Sequence, residues 1–231
     1  MKSVICFFMV LCFGNIVAQS TDNLWKGERG RIIIPTDSGI KGNDFLYDEW
    51  NNGILVLFDS VFSEQKYLKY DAYLDRILIK NINNIDEIIE ITDNSITGFA
   101  LIEKKNNVKH DFVRLKKEHF SDESVEGFYE VVFNFERTNY FLKKNTITVF
   151  DPNRSEGSQT INNLPSEYKN KITYYIKNDA DLYVKTRLAK KKIKEILSDH
   201  TKLVDTFIKS NKISFSDEGD VMKLINYYYS L

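Results

Sequence analysis

Short apolar runs separated by turn-forming residues fill the chain from about Gly30 to Val184. The clearest alternation is in Phe128–Phe135, where polar residues such as Glu130 fall between large apolar ones. A period of two predicts a strand that places these side chains on one face: Tyr129, Val131, Phe133 and Phe135. A turn at 136–139 then returns the chain through 140–142, which predicts a hairpin.

Several shorter segments have the same strand character. They are Arg31–Ile34, Ile54–Phe58, Leu74–Lys80, Ile85–Ile91, Ser95–Ile102, Ile172–Ile176 and Leu182–Thr186. Asn51–Gly53 precedes the second of them and favours a hairpin turn, because Asn and Gly tolerate positive φ. Thr92–Asn94 joins two of the segments and predicts that they pair with each other. Asn178–Ala180 predicts a turn between the last two.

The apolar spacing becomes helical beyond Thr186. A first helix is predicted by Ala189, Ile193, Ile196 and Leu197. A second short helix covers 203–208, with Ser198 or Asp199 as its candidate cap. The third has the strongest start signal, because Ser216 can cap it and acidic residues at 217, 218 and 220 suit a helix N-terminus.

These patterns predict a mainly β fold, either an antiparallel meander sheet or an open barrel, with two or three C-terminal helices, which is α+β overall. We divide the chain into a signal peptide at 1–18, a β-rich body at 19–186 and a helical segment at 187–231 packed on that body. Residues 151–166 are polar and contain Pro152, Gly157 and Pro165. We therefore expect a long loop there, and loops of this length often carry function.

The first twenty residues have the features of a secretion signal. Lys2 is followed by the apolar run Val4–Phe13 and by small residues that permit cleavage near Ala18. Both cysteines, Cys6 and Cys12, lie in this stretch, so the exported chain would contain no thiol. A lipid-anchor signal is the weaker alternative, because a large residue precedes each cysteine. We expect export, with no transmembrane span in the mature chain.

Composition adds one bias. The 231 residues are 42% apolar and 28% charged with a net charge of −1, so a buried core is expected and nothing global attracts nucleic acid. Aromatic residues are frequent, with 13 Tyr, 16 Phe and 2 Trp. They either reflect the preference of sheets for aromatic side chains or form a face that binds sugar or peptide. Both interpretations stay open.

Three segments carry a resemblance to known sequences. Leu68–Asp75, the strand pair with Gly127–Val131 and Phe141–Lys144, and the tail Leu224–Tyr228 occur in an order that resembles uncharacterised exported proteins of the Bacteroidota. Asp71 departs from that pattern, which has asparagine. The resemblance implies a β-rich body with a helical tail and a location in the periplasm or on the periplasmic face of the outer membrane. It implies no activity.

Candidate catalytic and metal-binding groups are sparse. His110, His119 and His200 lack the tight spacing of a metal site, so we interpret them as surface or turn residues. The pairs Asp86–Glu87 and Asp122–Glu123 could serve a glycosidase, but a chain with 33 acidic residues contains such pairs by chance. We assign no catalytic residue, metal or cofactor.

Two surfaces are candidates for a protein partner. Arg187, Lys190, Lys191 and Lys194 form a basic stripe on the first C-terminal helix, and Arg154 and Gln159 lie in the long loop. Ser60 and Thr206 each follow an aspartate and precede an apolar residue, as in the O-glycosylation acceptors of exported proteins of this phylum.

Three functions remain. The first is an exported non-catalytic interaction protein, an accessory subunit or partner of an envelope or outer-membrane complex. The alternative is a module that binds a glycan or small ligand on its aromatic face. The third is a carboxylate-dependent hydrolase.

Overall fold

The computed structural model describes residues 29–34, 38–58, 61–81, 84, 86–136, 138–152 and 164–231, so the predicted leader lies outside the described residues. Over these ranges, eleven strands form one antiparallel sheet and three helices follow. The predicted fold class is confirmed, and the sheet is not closed. The strands are β1 Gly30–Ile33, β2 Asn51–Leu57, β3 Lys66–Asp71, β4 Arg76–Lys80, β5 Ile88–Ile91, β6 Ile96–Glu103, β7 Val108–Leu115, β8 Gly127–Phe135, β9 Thr138–Phe150, β10 Glu167–Lys177 and β11 Tyr183–Thr186.

The strand order is β1-β5-β4-β3-β2-β6-β7-β8-β9-β10-β11. The predicted pairing around Thr92–Asn94 is wrong, because β5 pairs with β4 and β1 whereas β6 pairs with β2 and β7. In a flat sheet, the four spacings between β5 and β6 measure about 19 Å. The link from Ile91 to Ile96 reaches at most about 18 Å when fully extended. The sheet must therefore curl, which brings the end of β5 back towards the start of β6.

The curl encloses an aromatic core on the inner face of the sheet. Tyr70, Phe99, Phe112 and Phe128 are buried there. The rings of Phe99 and Phe112 stack with centroids 4.3 Å apart. Such contacts between rings on neighbouring strands add to the stability that burial alone supplies.

The predicted turn at Asn51–Gly53 is also wrong, because these residues begin β2. A Cβ atom at Gly53 would lie 2.4 Å from the Ala100 carbonyl oxygen and 2.5 Å from Leu68 Cδ1. Glycine is therefore needed here for the close approach of β6 and β3, not for a turn conformation.

The β8–β9 hairpin is confirmed, but the predicted single face of β8 is not. Its pairing with β9 shifts register between Val131 and Asn134. Because of this bulge, Tyr129 and Val131 pack with one cluster, whereas Phe133 packs under the helices on the opposite face. The first cluster is covered by Phe120, which follows a short 3₁₀ helix at Lys117–His119.

The helices are α1 Lys190–Ile196, α2 Thr201–Ser210 and α3 Glu218–Tyr229. They pack on Phe141 and Ile176 of the sheet through buried residues that include Ile193, Leu224 and Ile225. None of the described helices combines the length and apolar character needed to cross a membrane.

Two predicted caps are wrong. His200 occupies the N-cap position of α2 without a side-chain bond, so neither Ser198 nor Asp199 caps this helix. Asp217, not Ser216, caps α3, and its Oδ1 accepts a hydrogen bond of 2.8 Å from the Asp220 amide.

Candidate functional site

A groove with a volume of about 710 Å³ crosses the outer face of β2, β3, β4 and β6. This volume lies within the usual range for sites that bind small molecules. We call it the Trp50 groove, and it is lined by Glu49, Trp50, Asn52, Tyr67, Lys80, Asn81, Ile102, Lys104 and Asn107.

Strand register sets the central row of the Trp50 groove. Asn52 on β2 pairs with Tyr67 on β3 and with Ile102 on β6. Lys80 continues the row on β4, because the preceding residue of β4 pairs with Leu68. Alternate residues point inward to the core, so these four side chains share the outer face. The side chain of Tyr67 is consequently 57% exposed.

Trp50 immediately precedes β2 and is held in place through its neighbour. The buried Asn51 donates from Nδ2 to the Glu49 carbonyl over 2.8 Å. Its Oδ1 accepts from the Lys104 amide over 2.9 Å. These two hydrogen bonds join the start of β2 to the end of β6 and fix the backbone on both sides of the indole.

Two lysine side chains approach the Trp50 ring. Lys80 Nζ lies 5.3 Å from the ring centroid and Lys69 Nζ lies 5.6 Å from it. Lys69 Nζ is also 4.4 Å from the Phe45 ring. Each distance is within the range of a cation–π interaction.

The lysines in and beside the groove differ in whether a carboxylate pairs with their ammonium group. Lys104 pairs with Glu49 over 2.9 Å. In the described part of the chain, neither Lys69 nor Lys80 has a carboxylate within ion-pair distance. Burial lowers the pKa of Lys69, while Asp48 and Asp44 act in the opposite direction.

This arrangement suits a flat, hydroxylated ligand. The indole of Trp50 and the exposed Tyr67 ring offer apolar surfaces with polar edges. The amide side chains of Asn52, Asn81 and Asn107 surround them and can both donate and accept hydrogen bonds. Glu49 is the one carboxylate among the described lining residues, and Lys104 already binds it.

A second polar cluster, the Glu130 seam, lies on the inner face between the aromatic core and α3. His110 Nδ1 is 2.8 Å from Glu130 Oε1, and Lys143 Nζ lies 3.2 Å from the same oxygen. Lys143 also contacts Glu218 of α3 over 3.1 Å, and Asn145 donates to Glu130 over 2.9 Å.

The Glu130 seam corrects the interpretation of His110 as a surface residue, because its side chain is only 16% exposed. Its Nε2 is buried and has no hydrogen-bond partner among the residues described, although a Glu103 oxygen lies 3.7 Å away. Burial alone would raise the pKa of Glu130, but the His110 hydrogen bond and the Lys143 charge outweigh it and lower that pKa. Burial would likewise lower the pKa of Lys143, but Glu130 and Glu218 raise it.

A third cluster joins the β3–β4 turn to β8 and β9. Tyr70 donates its hydroxyl proton to Asp75, and Lys144 Nζ lies 2.8 Å from the same carboxylate. A Cβ atom at Gly127 would overlap Asp75 Oδ2, so glycine permits this contact. Because every group is paired within the fold and Lys144 is buried, we interpret this cluster as structural.

The residues predicted as a partner surface are only partly available. Arg187, Lys190 and Lys191 are exposed, but Lys194 pairs with Asp205 of α2 over 2.6 Å. Thr206 is exposed on α2 and donates its hydroxyl proton to the Lys202 carbonyl over 2.9 Å. Arg154, Gln159 and Ser60 lie outside the described residues.

Neither the other predicted histidines nor the acidic pairs line the Trp50 groove. His119 contacts Lys116, and His200 lies beside Tyr228. Glu87 accepts from Asn81 at the rim of the groove, whereas Asp122 accepts from Ser124. Over the described ranges, no three His, Cys, Asp or Glu side chains are placed together to hold a metal ion.

Sequence reasoning missed the residues that line the Trp50 groove. The available signal was the alternation of Tyr67 and Lys69 with the buried Leu68 and Tyr70, which places an aromatic and a cation outward on β3. Comparisons with protein-family models, curated proteins and solved structures found no match, so geometry and chemistry alone support the assignment of function.

Proposed function

We propose that this chain is a non-catalytic saccharide-binding protein and that its ligand occupies the Trp50 groove. The observation that supports this proposal is the lining itself, which combines two aromatic rings with three amide side chains on a four-stranded surface. A pyranose presents apolar C–H faces and hydroxyl edges, so it needs rings for stacking and amides for hydrogen bonding.

The lining favours binding over cleavage. Hydrolysis of a glycosidic bond generally requires two facing carboxylates about 5–10 Å apart. Among the described residues of the groove, Glu49 alone carries a carboxylate, and its ion pair with Lys104 leaves no obvious acid or base for catalysis. For this reason we place a binding module ahead of a hydrolase.

We also propose that the protein acts after export to the periplasm or to the periplasmic face of the outer membrane, because its first twenty residues resemble a cleaved leader. N-terminal sequencing of the protein from the periplasmic fraction tests this point. A chain beginning near Gln19 is the expected result, and an intact leader on the mature protein would contradict it.

A protein partner in the envelope remains a second candidate, supported by three exposed cations in the basic stripe. Arg187, Lys190 and Lys191 stay free of the Lys194–Asp205 pair and can attract an acidic surface. We rank this second, because the remaining three cations form no concave surface with aromatic groups.

Calorimetric titration with a panel of neutral and acidic oligosaccharides tests saccharide binding. Tyr67→Ala and Trp50→Ala should each weaken binding by about tenfold or more, because each removes a stacking ring. Tyr73→Ala is the matched control, since Tyr73 is 44% exposed but lies outside the groove. Melting temperatures verify folding. Equal affinity in all three variants, or no binding by the intact protein across the panel, would overturn the proposal.

A further inference from the structure

We infer that the saccharide bound in the Trp50 groove is acidic and that Lys80 binds its anionic group, a carboxylate or a sulfate. This inference rests on the proposed saccharide function and specifies the class of ligand.

The first argument is the position of Lys80. It lines the groove in the same cross-strand row as Tyr67 and Asn52, and its Nζ lies 5.3 Å from the centroid of the Trp50 ring. A sugar ring stacked on the exposed Tyr67, which is the cross-strand neighbour of Lys80, would therefore place its substituents beside this ammonium group. Lysine presents a compact charge with three donors, which suits an anionic oxygen at the edge of a ring.

The second argument is charge balance around the indole. Lys69 adds a second cation near the same ring, and its ammonium group, like that of Lys80, has no ion-pair partner in the part of the chain that the structure describes. The acidic groups that act on Lys69 are Asp44, Asp48 and Glu49. These carboxylates lie beyond ion-pair distance of Lys69, and Glu49 pairs with Lys104, so Lys80 is the lysine of the described groove lining that no described carboxylate contacts.

The third argument comes from a comparison within the groove. Lys104 is balanced by Glu49, so a ligand gains little from contacting it. Lys80 has no ion-pair partner in the described part of the chain, and Lys69 lies near the same indole. An anion bound beside Lys80 would supply the missing charge and would be attracted by both cations.

The test uses acidic oligosaccharides and their neutralised counterparts. An oligogalacturonide is compared with its methyl ester, and a chondroitin sulfate oligosaccharide with its chemically desulfated, methyl-esterified form. Calorimetry with the full-length mature chain should show at least about tenfold tighter binding of one acidic form than of its neutral counterpart. That preference should fall as salt concentration rises. A chondroitin oligosaccharide that is desulfated but not esterified separates the two groups. Loss of the preference on desulfation alone assigns sulfate, and loss only on esterification assigns carboxylate.

Variants assign the effect to Lys80. Lys80→Gln should remove the acidic preference, and Lys80→Arg should restore most of it. Lys109→Gln is the control, because Lys109 lies on the neighbouring β7 and pairs with Asp111 outside the groove. Equal or tighter binding of the neutral forms, with binding still dependent on Tyr67, would overturn the acidic assignment and leave the proposed function standing. An acidic preference that survives Lys80→Gln would also overturn it. Failure of every oligosaccharide to bind would overturn both proposals.

Discussion

Glu130 on β8 and His110 on β7 lie 2.8 Å apart, with both side chains largely buried where the curled sheet meets α3. Lys143 and Asn145 complete the coordination of the same carboxylate. These residues do not line the Trp50 groove. They connect two apolar cores, because the aromatic core lies on one side of them and the helix-covered core on the other. The first prediction concerns this pair.

Glu130→Gln should lower the free energy of unfolding at neutral pH by about 1–3 kcal/mol, because it removes charge-assisted hydrogen bonds. In the folded protein the pKa of Glu130 is lower than its usual value of 4.5. The carboxylate therefore stabilises the fold above about pH 4.5, and this contribution is lost as the pH falls through the folded pKa. Urea unfolding from pH 3 to pH 7 should show a smaller acid-induced loss of stability in the variant. Parallel pH profiles for the two proteins would refute this explanation.

Substitutions of Asp71 separate the contribution of its hydrogen bonds to stability from the contribution of its charge. Its Oδ1 accepts from the backbone amides of Tyr73 and Leu74, and its Oδ2 lies 2.7 Å from Arg76 Nε. Asp71→Asn keeps an acceptor for the turn, and Arg76 keeps its contact with Glu90. We expect Asn to lower the free energy of unfolding by about 1 kcal/mol and Ala by about 2–4 kcal/mol, because Ala removes both the acceptor of the Leu74 amide and the carboxylate that pairs with Arg76. Chemical denaturation measures both, and equal losses would contradict the role assigned to the turn.

Gly53→Ala tests the close approach of three strands. The new methyl group would contact the Ala100 carbonyl and Leu68, neither of which can move freely. We expect the free energy of unfolding to fall by about 1–3 kcal/mol. Asn52→Ala in the same strand is the control, because its side chain points outward and should change stability by less than about 0.5 kcal/mol. If the two variants had equal stability, the packing argument would be wrong.

Charge reversal at Lys194 should lower the melting temperature more than charge reversal at Lys190, although both residues belong to the predicted basic stripe. Lys194→Glu places a negative charge next to Asp205 and should lower the melting temperature by about 1–3 °C. Lys190→Glu should change the melting temperature by less than about 1 °C, because the exposed Lys190 acts on Asp205 only from beyond ion-pair distance. Differential scanning calorimetry at low salt compares them. A larger effect at Lys190 would show that the stripe is organised differently.

Truncation of Leu224 tests how much the packing of α3 on the sheet contributes to the free energy of unfolding. It is fully buried against the sheet, so Leu224→Ala should lower the free energy of unfolding by about 2–5 kcal/mol. Leu203→Ala on α2 provides a matched control, because Leu203 is exposed and its truncation should have little effect. Denaturant titration of both variants gives the comparison, and similar losses would mean that α3 is not part of the cooperative core.

The sequence predicts element type well where the period is regular. The helices and the strands around Phe128 and Tyr140 follow directly from apolar spacing. Prediction from sequence fails where one residue type suits two different structural roles. Asn51 and Gly53 are typical of turns, but here one joins two strands through its amide and the other permits close packing, and both depend on a partner strand about fifty residues away.

The candidate site could not be predicted for a related reason. Its row of Lys80, Tyr67, Asn52 and Ile102 spans four strands, and Ile102 joins it only because β6 pairs with β2 instead of with β5. Local patterns contain no information on that pairing, since it depends on the curl of the whole sheet. His110 was misinterpreted similarly, because its partner Glu130 lies twenty residues further along the chain.

The position of β6 in the strand order, next to β2 and not next to β5, also affects how the sheet unfolds locally. Strands β2 to β5 form a local meander, whereas β6 closes a loop of about forty residues when it returns to β2. A ligand lying across Tyr67 and Ile102 would connect these two units and oppose their separation. Amide hydrogen exchange in β3 and β6 should then slow together on saturation with ligand, with a smaller change in β10 and β11. Ligand binding in one surface groove would thus make β6 and the meander of β2 to β5 unfold more cooperatively.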